Sequence, residues 1–394
     1  MAKHRKMRIK CWRFLFLWFI SIFLLLIVQY SLSQNTLKES GLLINLFAIS
    51  LFIITASATS GTILSTLNNH IINICPEKSI FSLLFSYLNE IINFESFISD
   101  RERGNYYCEL AERREKMKNC KKAIDAYENA ISRPNLGEWE VASIKNNLGT
   151  SYSLLAEVEN TSQNCTKAIS LYEEAIKIRE GKKPRAVTMN NLGNTYCTLA
   201  EFENKILNCN KGIEILKEAL QLTKDDPIPI LYATIQNNLG VSYRILGEVK
   251  NDVNTCRDAI DILKDALEIR RKFDLSQQIA ATENNLGVAY YTLAAVENDK
   301  KEKISNCIKA IDFFQEALNT RTPDKFPQDY AMTQNNLGNV LCLLAKIGEN
   351  ISDNCSKAYS ALLEALNFYN LEEYPINHEK AVKDFFNCFS KDCI

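Results

Sequence analysis

The sequence predicts an all-α chain whose helix pairs stack into a solenoid, and three observations carry that prediction. The tetrapeptide Asn-Asn-Leu-Gly occurs five times, starting at Asn146, Asn190, Asn237, Asn284 and Asn335, with spacings of 44, 47, 47 and 51 residues. A second motif follows each copy: Asn164-Cys165 with Ala168, Asn208-Cys209 with Gly212, Asn254-Thr255-Cys256 with Ala259, Asn306-Cys307 with Ala310, and Asn354-Cys355 with Ala358. Seven of the eight prolines fall between these units, and nothing within them alternates with the two-residue period of a strand. A period of this length marks a stacked-repeat architecture, in which no unit buries its apolar face alone.

Each unit divides into a helix A and a helix B. In helix A, Leu148, Tyr152 and Leu155 make one stripe; in helix B, Ala168, Tyr172 and Ala175 make another. The small residues Gly149, Ala168 and Ala175 let the two helices approach closely. Asn160, Asn204, Asn251, Asn298 and Asn350 stand where helix A should stop, in the left-handed conformation that asparagine tolerates. Asn164 and its equivalents are expected to N-cap helix B. A further copy, Asn119-Cys120 with Ala123, precedes the first Asn-Asn-Leu-Gly, and Gly104 to Glu112 aligns with Gly193 to Glu201, which makes six helix pairs. Tyr374-Pro375 aligns with Phe326-Pro327, so Ile376 to Ser390 reads as a lone helix A, with Lys380, Lys383 and Asp384 suiting a solubilising cap.

These residues resemble the tetratricopeptide repeat. The family pattern Leu-Gly-x2-Tyr followed by Ala-x3-aromatic is met by Leu148, Gly149, Tyr152, Ala168 and Tyr172, and again by Leu286, Gly287, Tyr290, Ala310 and Phe314. Two departures stand out. The family's Trp is replaced by Lys145, Met189, Gln236, Glu283 and Gln334, and the 44–51-residue period exceeds the family norm of ~34, with most of the excess in helix A. In this the chain looks like kinesin-light-chain-type arrays and the extended arrays of archaeal and other prokaryotic proteins. The resemblance implies a right-handed superhelix of helix pairs and a role in protein–protein interaction, but names no ligand.

The N-terminal part reads differently. Lys3, Arg5, Lys6, Arg8, Lys10 and Arg13 precede an apolar stretch at 14–32, and a second uncharged stretch follows at 42–64. Either can span a bilayer core of about 20 helical residues, so the pair is expected to form a transmembrane hairpin with its basic tip in the cytoplasm. A cleaved signal peptide over 14–32 is the competing reading. The expected organisation is therefore a basic N-terminus with two transmembrane helices over 1–75, six repeats over 76–375 and a C-terminal capping helix and tail over 376–394. The expected localisation is a multi-pass membrane protein in contact with lipid, its repeat domain cytoplasmic. From residue 40 onward, 46 acidic groups outnumber 39 basic ones, which disfavours a nucleic-acid partner.

Helical geometry of ~100° per residue places Leu148, Gly149, Tyr152, Leu155 and Ala156 towards the core and Ser143, Asn146, Asn147, Thr150 and Leu154 on the opposite side. In the family that side lines a concave groove. The equivalent positions in all five units hold no charged residue. They give two columns of asparagine: Asn146, Asn190, Asn237, Asn284 and Asn335, and beside them Asn147, Asn191, Asn238, Asn285 and Asn336, with Asn194 and Asn339 one turn further on. An amide both donates and accepts, so such a floor can hold an extended peptide backbone, and by resemblance the second column is the one that touches ligand. The bland alternative is that these amides bridge neighbouring helices. A carboxylate clamp is not expected, because the floor lacks basic residues.

The helix-B cysteines recur one per unit, about 8–10 Å apart if they follow helix packing, which is too far for a disulfide or a shared zinc. They read as small buried residues, and Cys388 with Cys393 as a pair too small for a site. His4, His70 and His378 lie far apart, and no phosphate-binding glycine loop or HExxH motif is present. No catalytic residue, metal, cofactor or small-molecule substrate is expected. The chain therefore reads as a membrane-anchored scaffold or adaptor for a protein or peptide partner, with a self-associating structural assembly factor as the alternative.

Overall fold

A computed structural model describes residues 99–112, 115–223 and 228–389. Among them are thirteen α-helices and no strand: α1 Asp100–Ala111, α2 Lys116–Ile131, α3 Glu138–Ala156, α4 Thr161–Ile178, α5 Lys182–Phe202, α6 Lys205–Leu222, α7 Pro229–Lys250, α8 Val253–Lys272, α9 Ser276–Val296, α10 Lys300–Thr320, α11 Pro327–Lys346, α12 Ile351–Phe368 and α13 Pro375–Phe389. Each odd-numbered helix up to α11 packs chiefly on the helix that follows it, giving six A/B pairs with α13 left over. Successive A helices also touch one another along the array, whereas successive B helices do so barely or not at all, so the A helices line the inner side.

The expected multi-pass membrane localisation is corrected here: among the described residues no helix is long and apolar enough to cross a membrane. The stretches at 14–32 and 42–64, on which the transmembrane hairpin and its cytoplasmic orientation rested, lie outside the described residues.

The A–B contact is a glycine seat filled by a large side chain. A Cβ on Gly104 would stand 2.6 Å from the ring of Tyr127, on Gly149 2.9 Å from Tyr172, on Gly193 2.5 Å from Leu216, on Gly240 2.6 Å from Leu263, on Gly287 2.5 Å from Phe314 and on Gly338 2.6 Å from Leu362. All six occupants are fully buried. The Asn-Asn-Leu-Gly glycine thus removes the one side chain that would hold the pair apart.

The link between A and B turns on a left-handed residue: Asn160, Asn204, Asn251 and Asn350 have φ of 45°, 46°, 52° and 40°. Asn298 does not. There Glu297 to Asp299 form the link with no left-handed residue, and Asp299 caps α10 by accepting from the Glu302 N–H at 2.9 Å. The expected N-cap role of Asn164 is also corrected. Helix B begins earlier, so Asn164, Asn208 and Asn354 lie inside its first turn, and their Nδ2 groups donate back to the carbonyls of Glu159, Glu203 and Glu349 at 2.6, 2.8 and 2.7 Å. They pin the link instead of capping the helix.

The cysteines Cys120, Cys165, Cys209, Cys256 and Cys307 are fully buried at the A–B contact. Burial pushes the Cys165 and Cys307 thiols up to about 12 and those of Cys209 and Cys256 up to about 11. An unfolded thiol ionises near 9, so between about 9 and 11 the unfolded state has already lost protons that the folded state retains, and stability falls as pH rises through that window. Melting temperatures at pH 8, 9.5 and 10.5 are expected to fall for the intact chain and to fall less steeply for Cys165→Ala/Cys307→Ala. Parallel curves would remove the thiols as the cause.

Candidate peptide-binding face

The floor is formed by α3, α5, α7, α9 and α11. The first-column residues Asn146, Asn190, Asn237, Asn284 and Asn335 are buried, at 3–8% exposure, because neighbouring A helices close over them. The second column, Asn147, Asn191, Asn238, Asn285 and Asn336, is half-buried, as is Asn339, and Asn194 is exposed.

The two columns bond to each other across the helix joints. Asn238 Nδ2 donates to Asn190 Oδ1 at 2.9 Å, Asn285 Nδ2 to Asn237 Oδ1 at 3.1 Å, and Asn336 Nδ2 to Asn284 Oδ1 at 3.2 Å. Within a helix, Asn146, Asn190 and Asn237 donate to Asn147, Asn191 and Asn238 at 3.0, 3.4 and 3.3 Å. The result is a ladder in which each incoming second-column amide donates to the preceding first-column oxygen. At the N-terminal end Asn147 Nδ2 finds Asn105 Oδ1 at 3.0 Å instead. An amide has two N–H groups and two oxygen lone pairs, so the ladder uses about half of what the second column offers.

One joint is unbridged. Between α3 and α5, Asn146 Oδ1 is buried without a partner, and Asn191 Nδ2 makes no bond to α3. Contact between these two A helices is the sparsest along the array, and a hydroxyl pair, Ser153 with Thr195 at 3.0 Å, joins them. An amide donor and an amide acceptor therefore stand unused on facing helices at this joint.

Three apolar side chains lie exposed along the same helix faces: Trp139 and Ile230, each seven residues before a first-column asparagine, and Met332, three before. The first two were not evident as floor residues, since they sit in the first turn of helix A, ahead of the motif. Also hidden in the sequence were two buried arginines from the ends of helix B. Arg270 Nη1 donates to the Gln278 carbonyl at 2.9 Å and to Thr282 Oγ1, and reaches Asn237 Oδ1 at 3.5 Å; Arg321 Nη1 donates to Thr333 Oγ1 at 2.9 Å. Burial pulls Arg270 down to about 10. Both clamp the end of one pair to the start of the next.

Among the described residues no group of His, Cys, Asp and Glu is placed to hold a metal. His378 Nδ1 lies 2.6 Å from the Tyr369 carbonyl, a link between α12 and α13. A shallow cavity of about 250 Å³, lined by residues that include Lys121, Tyr152, Glu159, Asn160 and Lys167, opens at the A/B turns and includes none of the floor asparagines.

No protein-family model matches the chain, and no curated protein does. Solved structures do. The Rap protein complexed with competence and sporulation factor aligns at a TM-score of 0.50 and 15% identity, over 98% of this chain and 98% of that one. The signal-transduction ATPase with a tetratricopeptide repeat sensor from Pyrococcus horikoshii aligns at 0.49 and 14%, over 94% and 53% of the two chains. BtubC from P. vanneervenii aligns at 0.41 and 20%, over 64% and 89%. The chain thus has the fold of tetratricopeptide-type repeat proteins, an all-α helical-repeat array.

Proposed function

We propose that the A-helix face binds an extended segment of a protein partner, and that the unbridged joint between α3 and α5 is where the partner's backbone engages most directly. The observation that carries this reading is the uncommitted donor at that joint, Asn191 Nδ2, on a half-buried side chain within a floor whose other amides are half committed. A peptide C=O is the group that matches it. The rest of the second column, Asn147, Asn238, Asn285 and Asn336, would add single bonds along the groove, and Trp139, Ile230 and Met332 would receive apolar side chains. The six pairs form the binding body in this reading, and α13 closes it. The Rap protein, of similar fold, is complexed with competence and sporulation factor, which is in keeping with an array of this fold holding a partner.

The clean test uses Asn191 and Asn194, because neither donates a side-chain bond to a neighbouring A helix. A binder selected from a random-peptide library on the full chain should lose about tenfold or more in affinity on Asn191→Ala/Asn194→Ala, since two neutral hydrogen bonds at ~0.5–1.5 kcal/mol each are removed. The melting temperature should barely move. Full affinity in the double variant, measured by calorimetry, would place the peptide on another face.

A further inference from the structure

Among the described residues no helix B follows α13, and distinct contacts tie it to the array. Asp384 follows Asn336 by 48 residues, as Pro375 follows Pro327, so it stands where the ladder asparagine of a seventh helix A would stand. Its Oδ2 accepts from Asn335 Nδ2 at 2.7 Å and from Asn339 Nδ2 at 2.9 Å. This reverses the ladder. A carboxylate only accepts, so Asn335 turns its N–H towards Asp384, and its own oxygen is left buried without a partner. Lys346 Nζ donates to the Asn387 carbonyl at 2.9 Å, and Phe385 and Phe389 pack on Tyr359 with ring centroids 5.6 and 5.8 Å away. A disulfide joins Cys342 of α11 to Cys388 of α13, with Cα atoms 5.5 Å apart. Cys355 of α12 is disulfide-bonded as well, whereas Cys108, Cys120, Cys165, Cys197, Cys209, Cys256 and Cys307 are thiols.

We propose that α13 is an internal occupant of the last stretch of the floor, locked over Asn335 and Asn339 by the Cys342–Cys388 disulfide, and that a dithiol reductant opens this stretch by unlocking it. The proposal gives a regulation to the groove and rests on the reading of that face as a binding site. One thiolate of the reductant attacks a sulfur of the disulfide, and its second thiol displaces the resulting mixed disulfide. Two electrons and two protons pass to Cys342 and Cys388, and the reductant leaves as its own disulfide. Without the cross-link, α13 is held by amide–carboxylate bonds, the Lys346 contact, the His378–Tyr369 bond and the apolar and aromatic packing of Phe385 and Phe389, and lacks the A–B seat that anchors every other A helix.

Hydrogen exchange on the full chain tests this without any partner, so its outcome is separable from that of the peptide-binding test. With dithiothreitol, the amides of 381–389 are expected to exchange at least tenfold faster, while α7 to α9 stay unchanged. Cys388→Ser, which removes this cross-link alone and leaves the disulfide of Cys355 in place, should speed exchange over the same amides without reductant. Equal protection of α13 in the oxidised chain, the reduced chain and Cys388→Ser would overturn the proposal, and so would acceleration spread evenly over the array.

Discussion

Phe314→Ala is expected to cost the array about 3–5 kcal/mol, the range for emptying a fully buried aromatic site. The ring fills the seat made by Gly287, where even a methyl group would lie 2.5 Å from it. Gly287→Ala should therefore be destabilising as well, by about 1–3 kcal/mol, because neither the ring nor the helix backbone can yield freely. The two changes are coupled: with the ring gone, the alanine methyl partly fills the void. Denaturant melts of the two single variants and the double variant should give a loss smaller than the summed singles by at least 0.5 kcal/mol, as an order of magnitude for touching residues. Simple additivity would mean that the seat does not set the A–B distance.

Asn238→Ala/Asn285→Ala carries the second large effect. From the sequence alone both side chains point away from the Leu–Gly–Tyr stripe, so their loss looks harmless to stability. The ladder alters that expectation. Each Nδ2 satisfies a buried oxygen on the preceding helix, Asn190 Oδ1 and Asn237 Oδ1. Removing both donors strands the buried Asn190 Oδ1, at about 1–3 kcal/mol, and leaves Asn237 Oδ1 with only the long Arg270 contact at 3.5 Å. The double variant should melt well below the parent, and hydrogen exchange should speed up most in α5, α7 and α9. An unchanged melting curve would show that water replaces the lost amides without cost.

The contrast between these residues and Asn191 marks what was legible in the sequence. The motif period, the helix pairing and the small residues at the A–B contact follow from chemistry carried by each residue type, and they survive in the structure. Whether an asparagine serves a ligand or its neighbour depends on the spacing of A helices, which varies from joint to joint. The five Asn-Asn pairs look alike in sequence, yet Asn238 is committed across a joint and Asn191 is not. Asn164 was misread because an N-cap expectation depends on the helix boundary, and the boundary moved by one turn once Asn160 made the link tight. Cys342 and Cys388 are 46 residues apart and meet only after α13 folds back on α11. Arg270 and Arg321 gave no signal, because a cation at the end of a helix B is ordinary until the next pair buries it.

The direction of the amide ladder sets a rule for how such a chain can change in length. An internal pair carries both halves of the joint, an oxygen to receive from the next unit and an N–H to give to the previous one. Duplicating or deleting a whole internal unit therefore leaves every remaining joint correctly matched, provided Arg270-type clamps move with it. Asp384 breaks this interchangeability. It offers an acceptor to the unit before it, and the first-column position beside it is Lys383, which has no side-chain oxygen to receive from a next unit, so a unit grafted beyond it would meet a mismatched partner. Growth by duplication is open in the interior and blocked at this end, and a designed elongation of the array should be inserted between α8 and α9 and not appended after α13.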